Sequence, residues 1–166
     1  MSNIFRNNMT ELEKQSLEAW RINNQINIML IESLSDEMLK ASLSERGGRD
    51  VARQLAHVIE VRCTRLESIA KKSGITLTRF EKGESPDKEK LLLAMKQSGE
   101  AMEKHLIASF DNNAAVTNFQ RGAGVMLGYY IAHESHHRGS ILLTIKKCGL
   151  KIPENLKWGI WEWNKI

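Results

Sequence analysis

Long apolar runs are missing from this 166-residue chain. No stretch approaches the ~20 consecutive hydrophobic residues that a membrane-spanning helix requires, and the opening segment, Met1 to Thr10, lacks the apolar core of an export signal. Proline occurs 2 times and glycine 11 times, too rarely for a loop-rich or fibrous protein. The 2 cysteines, Cys63 and Cys148, allow at most one bridge, and without an export signal they read as reduced, partly buried thiols. Basic blocks are absent too. Lys and Arg total 24 against 20 Asp and Glu, and the net charge of +4 is scattered instead of gathered into the stripe that nucleic acid needs. With 42% hydrophobic and 27% charged residues, the composition excludes a wholly disordered chain. These observations point to a single cytoplasmic domain over residues 1–166, with neither membrane nor nucleic acid as a partner.

Strand alternation is likewise missing, and helical periodicity takes its place. Thr10-Glu11-Leu12-Glu13 has the pattern of a capping box, and apolar residues follow at helical spacing from Ala19 to Leu30. A short helical turn is expected at Asp36–Lys40, then a break at Gly47-Gly48. Asp50 is positioned to cap a second helix, striped by Val51, Leu55, Val58, Ile59, Leu66 and Ile69 and stopped at Ser73-Gly74. Ser85-Pro86 reads as the cap and first position of a third helix carrying Leu91, Met95, Ser98, Met102 and Leu106. The fourth follows Arg121-Gly122-Ala123-Gly124 and runs to Lys147, before Gly149 and Pro153. Residues 155–166 form a tail holding Trp158, Trp161 and Trp163, expected to bury its aromatic surface on the helices, or else to serve as a dimer contact or lid. Four amphipathic helices without strands predict an all-α four-helix bundle.

Histidine is where the sequence becomes informative. His133, His136 and His137 fall within five residues of the fourth helix. Positions four apart share a helix face, so His133 and His137 can aim two imidazoles at one point, and imidazole is the commonest protein ligand for zinc and its neighbours. On the helical wheel the pair shares an arc with Met126, Tyr130 and Ile141, whereas His136 lies toward its edge. A third ligand must come from another helix, with His57 and His105 as the candidates, and spacing does not choose between them. His57 sits off the main stripe of its helix, at a half-exposed position. The run His133-Glu134-Ser135-His136-His137 also matches H-E-x-x-H, which would make Glu134 the general base of a metallopeptidase. The downstream metzincin residues are replaced by Ser140 and Leu143, and no strand-rich region precedes the helix, so this reading ranks last.

Asp50-Val51-Ala52-Arg53-Gln54-Leu55-Ala56-His57, continuing to Val61-Arg62, resembles the second-helix motif of the DinB/YfiT-like superfamily. Ile131-Ala132-His133-Glu134-Ser135-His136-His137-Arg138-Gly139-Ser140-Ile141 resembles its fourth-helix motif. Asp50 and Ser140 depart from the Ser and Gln often found there. The resemblance implies a damage-inducible type of four-helix bundle, often a homodimer, with a divalent metal held by one histidine from the second helix and two from the fourth. By position these are His57, His133 and His137. Three neutral imidazoles suit zinc or nickel, with manganese or iron as alternatives, and the expected partner is a small-molecule substrate or thiol cofactor. The implied activity is that of a metal-dependent hydrolase or a low-molecular-weight-thiol transferase; the alternative is a non-catalytic metal-binding stress-response protein. Glu134, Arg138 and Tyr130 are candidates to support the ligands. Their plain structural readings are a solvated Glu134, an ion-paired Arg138 and a core Tyr130.

Overall fold

Capping chemistry sets where the helices begin in the computed structural model, which describes residues 9–44, 48–116 and 119–166. Helix α1 (Glu11–Ser33) opens on the expected capping box: Thr10 Oγ1 accepts from the Glu13 N–H, and the Thr10 N–H donates to Glu13 Oε2 at 2.6 Å. Ser35 caps the short α2 (Asp36–Lys40), and Asp50 caps α3 (Val51–Lys72) by accepting from the Arg53 N–H at 2.7 Å. Gly47 of the expected Gly47-Gly48 break lies outside the described residues. Ser73 and Gly74 end α3, the glycine at φ +70°.

Helix α4 (Lys88–Asp111) starts later than the Ser85-Pro86 signal predicts. Its cap is Asp87, which accepts from the Lys90 N–H at 2.8 Å. The Ser85 hydroxyl is engaged elsewhere, donating to Asp50 Oδ2 at 2.9 Å and tying the starts of α3 and α4 together. Gly122 (φ +85°) opens α5 (Ala123–Lys147), where an added Cβ would stand 3.1 Å from the Ala114 carbonyl oxygen. A sixth helix, α6 (Glu154–Gly159), forms within the tail.

Among the described residues the fold is all-helical, with one isolated bridge between Val116 and Phe119 and no strand. The four long helices pack as a ring, with α1 and α3 each lying against both α4 and α5, while α2 rests on α3 and α6 on α1. The tail docks through aliphatic residues rather than its tryptophans. Leu156 and Ile152 are buried and Gly159 meets Met29, whereas Trp158 and Trp161 are 60% and 75% exposed. The expectation that the tail buries its aromatic surface is therefore corrected. No described helix is long and apolar enough to cross a membrane.

Two apolar clusters fill the interior. One gathers Leu30, Ile31, Leu55, Ile59, Met95 and Ile141; the other gathers Trp20, Leu66, Met102, Leu106, Met126 and Tyr130. On every long helix a buried polar residue lies at or beside the junction of the two clusters: Asn23 and Asn27 on α1, Arg62 on α3, Ser98 on α4 and Glu134 on α5. Arg62 and Glu134 are fully buried and paired through two bonds, Nε to Oε1 at 2.6 Å and a terminal guanidinium nitrogen to Oε2 at 2.7 Å. The two asparagine amides each donate to Glu134 Oε2 at 2.6 Å, and Arg62 also donates to Asn24 Oδ1 at 2.7 Å. The Arg62 guanidinium lies 4.6 Å over the Trp20 ring, whose N–H donates to the Gly99 carbonyl. A buried ion pair contributes little net stability against an apolar replacement, but with its bonds to Asn23, Asn24, Asn27 and Ser98 it ties residues of all four long helices together.

Candidate metal centre

Helix α5 is buried along Met126, Leu127, Tyr130, Glu134, Ile141, Thr144 and Ile145. At about 100° per residue this arc is centred between Tyr130 and Glu134, so His133 and His137 fall on its edge rather than pointing straight inward. Both are half-buried, as is His57 on the facing side of α3. The three rings meet there. Centroids are 5.6 Å apart for His57 and His133, 5.0 Å for His57 and His137, and 4.6 Å for His133 and His137.

One nitrogen from each ring lies within 4.8 Å of the other two, the one such group of potential ligands among the described residues. Nitrogens bound to zinc at 2.0–2.1 Å in a tetrahedral site stand about 3.4 Å apart, so closing on an ion shortens separations of up to 4.8 Å by as much as about 1.4 Å. Two further observations fit a metal. His133 Nδ1 is buried with no hydrogen-bond partner. The imidazoles also favour their neutral, ligating form. Desolvation chiefly lowers the pKa of all three, and for His137 the other histidines and Arg49 join it in bringing the value to about 4. The three histidines can therefore hold a metal ion; which ion is not written in the ligand set, since imidazole suits several.

The remaining candidates fall elsewhere. His136 is exposed, its ring 5.4 Å from that of His137. His105 lies apart from the three histidines, lining a cavity of ≈ 200 Å³ with Arg65 and Ser109. Tyr130 is in the core as expected; burial pushes its phenol up to about 12, and its hydroxyl lacks a partner. Glu134 is not solvated. Its carboxylate is at 0% exposure and accepts from Arg62, Asn23 and Asn27. A base so enclosed cannot deprotonate water beside the imidazoles, which removes the peptidase reading. Arg138 is held by amide oxygens instead of a directly paired carboxylate, donating to Asn23 and Asn27 Oδ1 at 2.9 Å each and to the Ser135 hydroxyl at 2.7 Å. Both thiols are free, but only Cys63 is buried; Cys148 is exposed.

Residues absent from the sequence reading complete the site. Tyr129 stacks on His133 with centroids 5.8 Å apart and planes 17° from parallel; its place four residues before His133 was the available signal. Arg49 lines two depressions, ≈ 230 Å³ beside His57 and ≈ 350 Å³ beside His137. No tryptophan lines either one.

Compared with known proteins, residues 6–157 match the family model described as DinB family. No curated protein and no solved structure matches the chain. Because the family match runs through all four long helices and every histidine of the cluster, the chain belongs to the DinB family.

Proposed function

We propose that this protein is a metal-dependent hydrolase or low-molecular-weight-thiol transferase, built on a four-helix bundle of the DinB/YfiT type. One divalent ion, zinc or nickel, would be held by His57, His133 and His137. The observation that carries the reading is the convergence of three neutral, half-buried imidazoles, one with an orphaned buried nitrogen, beside two solvent-open depressions. Three ligands on one side leave coordination positions facing solvent, the arrangement of catalytic rather than closed structural sites. When bound, the ion supplies a Lewis acid that lowers the pKa of water or a thiol so that a nucleophile exists near neutral pH.

The protein's own groups perform the other tasks. Tyr129 covers one face of His133 and fixes its ring plane. The Arg62–Glu134 pair holds the rotation of α5 and with it the direction of both α5 ligands. The depressions admit a small molecule rather than a polypeptide.

Elemental analysis of untagged protein tests the premise. One divalent ion per chain is expected, lost in the His133→Ala/His137→Ala double variant; unchanged metal content in that variant refutes the site. Thiol conjugation to electrophiles and ester or amide cleavage then test turnover. Metal-loaded protein inert in all of these would leave a metal-binding protein without catalysis.

A further inference from the structure

The depression beside His137 has a chemical bias that the three histidines do not explain. Its ≈ 350 Å³ are lined by Arg49, Gln54, His136, His137, Ser140 and Thr144, with three residues of the preceding loop, and none of these described residues is acidic. That volume is at the small end of ligand sites. Arg49 is exposed and joins no ion pair or hydrogen bond among the described residues, unlike Arg21, Arg62, Arg79 and Arg138, all of which are engaged. It stands immediately before the Asp50 cap, at the rim shared by both depressions, and its positive field reaches His57 and His137.

Gln54 is the second, independent observation. It lies one turn into α3, is only 8% exposed, lines the same depression, and its side-chain amide makes no hydrogen bond among the described residues. Among the described residues the sealed side-chain atoms without a partner are the Tyr130 hydroxyl and His133 Nδ1, so the Gln54 amide instead opens to the depression, where a ligand group can take the place of water on it. The depression beside His57 differs, because Glu60, Glu81 and Glu84 line it together with Arg49, Arg53 and Lys82, so its charge is mixed rather than uniformly positive.

We infer that Arg49 and Gln54 form an anchoring point for a carboxylate on the substrate, seated in the depression beside His137. The inference rests on the metal reading above and adds the substrate class: a small molecule that carries its reacting group and a carboxylate within the span of one depression. The planar guanidinium offers two parallel N–H donors to a carboxylate, and the Gln54 amide offers a third donor from the floor. Arg49 and Gln54 are thus specificity residues, distinct from the ligands.

The test compares two probes of equal length, 3-mercaptopropionate and its neutral amide, 3-mercaptopropionamide. Binding to the cobalt(II)-loaded protein is read from the thiolate-to-cobalt charge-transfer absorption. The wild-type protein is expected to bind the acid about tenfold more tightly than the amide, the scale of one charge-assisted hydrogen bond at a partly solvated site. Arg49→Gln should erase that preference while leaving cobalt content and amide affinity unchanged, Arg49→Lys should restore part of it, and Gln54→Leu should reduce it. Equal affinities in the wild type, or an undiminished preference in Arg49→Gln, overturn the inference alone. Failure of cobalt to bind the wild-type protein overturns the metal reading and this inference with it.

Discussion

Replacing Glu134 by glutamine should destabilise this protein strongly before it reveals anything about catalysis. Every partner of the carboxylate is a donor: Arg62 twice, Asn23 and Asn27. Glutamine offers one oxygen and an NH₂ group, so in either orientation that NH₂ faces donors. Turning the asparagine amides to compensate would aim their NH₂ groups at Arg138, which donates to both of their oxygens. The substitution also strands the guanidinium of Arg62, at 0% exposure, with only neutral acceptors on Asn24, Ser98 and Met95. Breaking one side of a buried pair costs about 3–5 kcal/mol. Set against a typical total of 5–15 kcal/mol, this is a large fraction, and for a chain of this size it lowers Tm by about 6–20 °C. Urea titration of wild-type and Glu134→Gln protein, followed by far-ultraviolet circular dichroism, measures it. The Arg62→Met/Glu134→Leu double variant should regain part of the loss, since an apolar pair strands no charge, although it leaves the buried Asn23 and Asn27 amides without their acceptor. A loss below about 1 kcal/mol at unchanged m-value would refute the reasoning, because a polar layer that tolerates a missing charge is not locking the helices. A peptidase with Glu134 as base predicts the opposite pattern, intact stability and lost activity.

Two other perturbations follow from the same packing. Gly99→Ala places a Cβ against the amide of Asn24, which Arg62 holds; a steric cost of about 1–3 kcal/mol should exceed the ~1 kcal/mol that alanine gains in helix propensity, and a net rise in urea midpoint would contradict this. For the thiols, an aromatic disulfide reagent should titrate exposed Cys148 in native protein and reach Cys63 only after unfolding. Burial raises the Cys63 thiol from its ordinary 9 to about 11, so its stabilising contribution is whole below pH 9 and lost as pH rises toward 11. Cys63→Ala should make the decline of stability between pH 9 and 11 shallower, and an identical slope in the variant would contradict the assigned cause.

How much of this was legible in the sequence depended on how local each signal is. Thr10, Asp50, Ser73-Gly74 and Gly122 announce helix ends because a cap is written within four residues. The start of α4 was misplaced because Ser85-Pro86 and Asp87 are both capping signals, and the contest was decided by Asp50 across the fold, which engages the Ser85 hydroxyl. The stripe of α1 was harder still, because its buried line includes Asn23 and Asn27, polar residues that a hydrophobic pattern passes over. The histidine pair at i, i+4 was readable from spacing, whereas His57, 76 positions before His133 in the sequence, reached the cluster only through a resemblance of motifs. Nothing in the neighbourhood of Arg62 announces that its partner is Glu134, 72 residues away.

That hidden pairing changes how the fourth-helix motif should be understood. Within five residues α5 carries two kinds of chemistry separated by one step of the helix: His133 and His137 on the edge of the buried arc, Glu134 near its centre. Rotating α5 by one residue, about 100°, would expose the carboxylate and scatter the imidazoles. The four hydrogen bonds on Glu134 oppose that rotation, so the residue a peptidase would use for proton transfer acts here as the stop that fixes where its neighbours point. The half-burial of the three imidazoles follows from the same geometry. A ligand pair one step off the centre of a locked helix meets His57 at the boundary between core and solvent, where a bound ion is gripped from one side and open on the other.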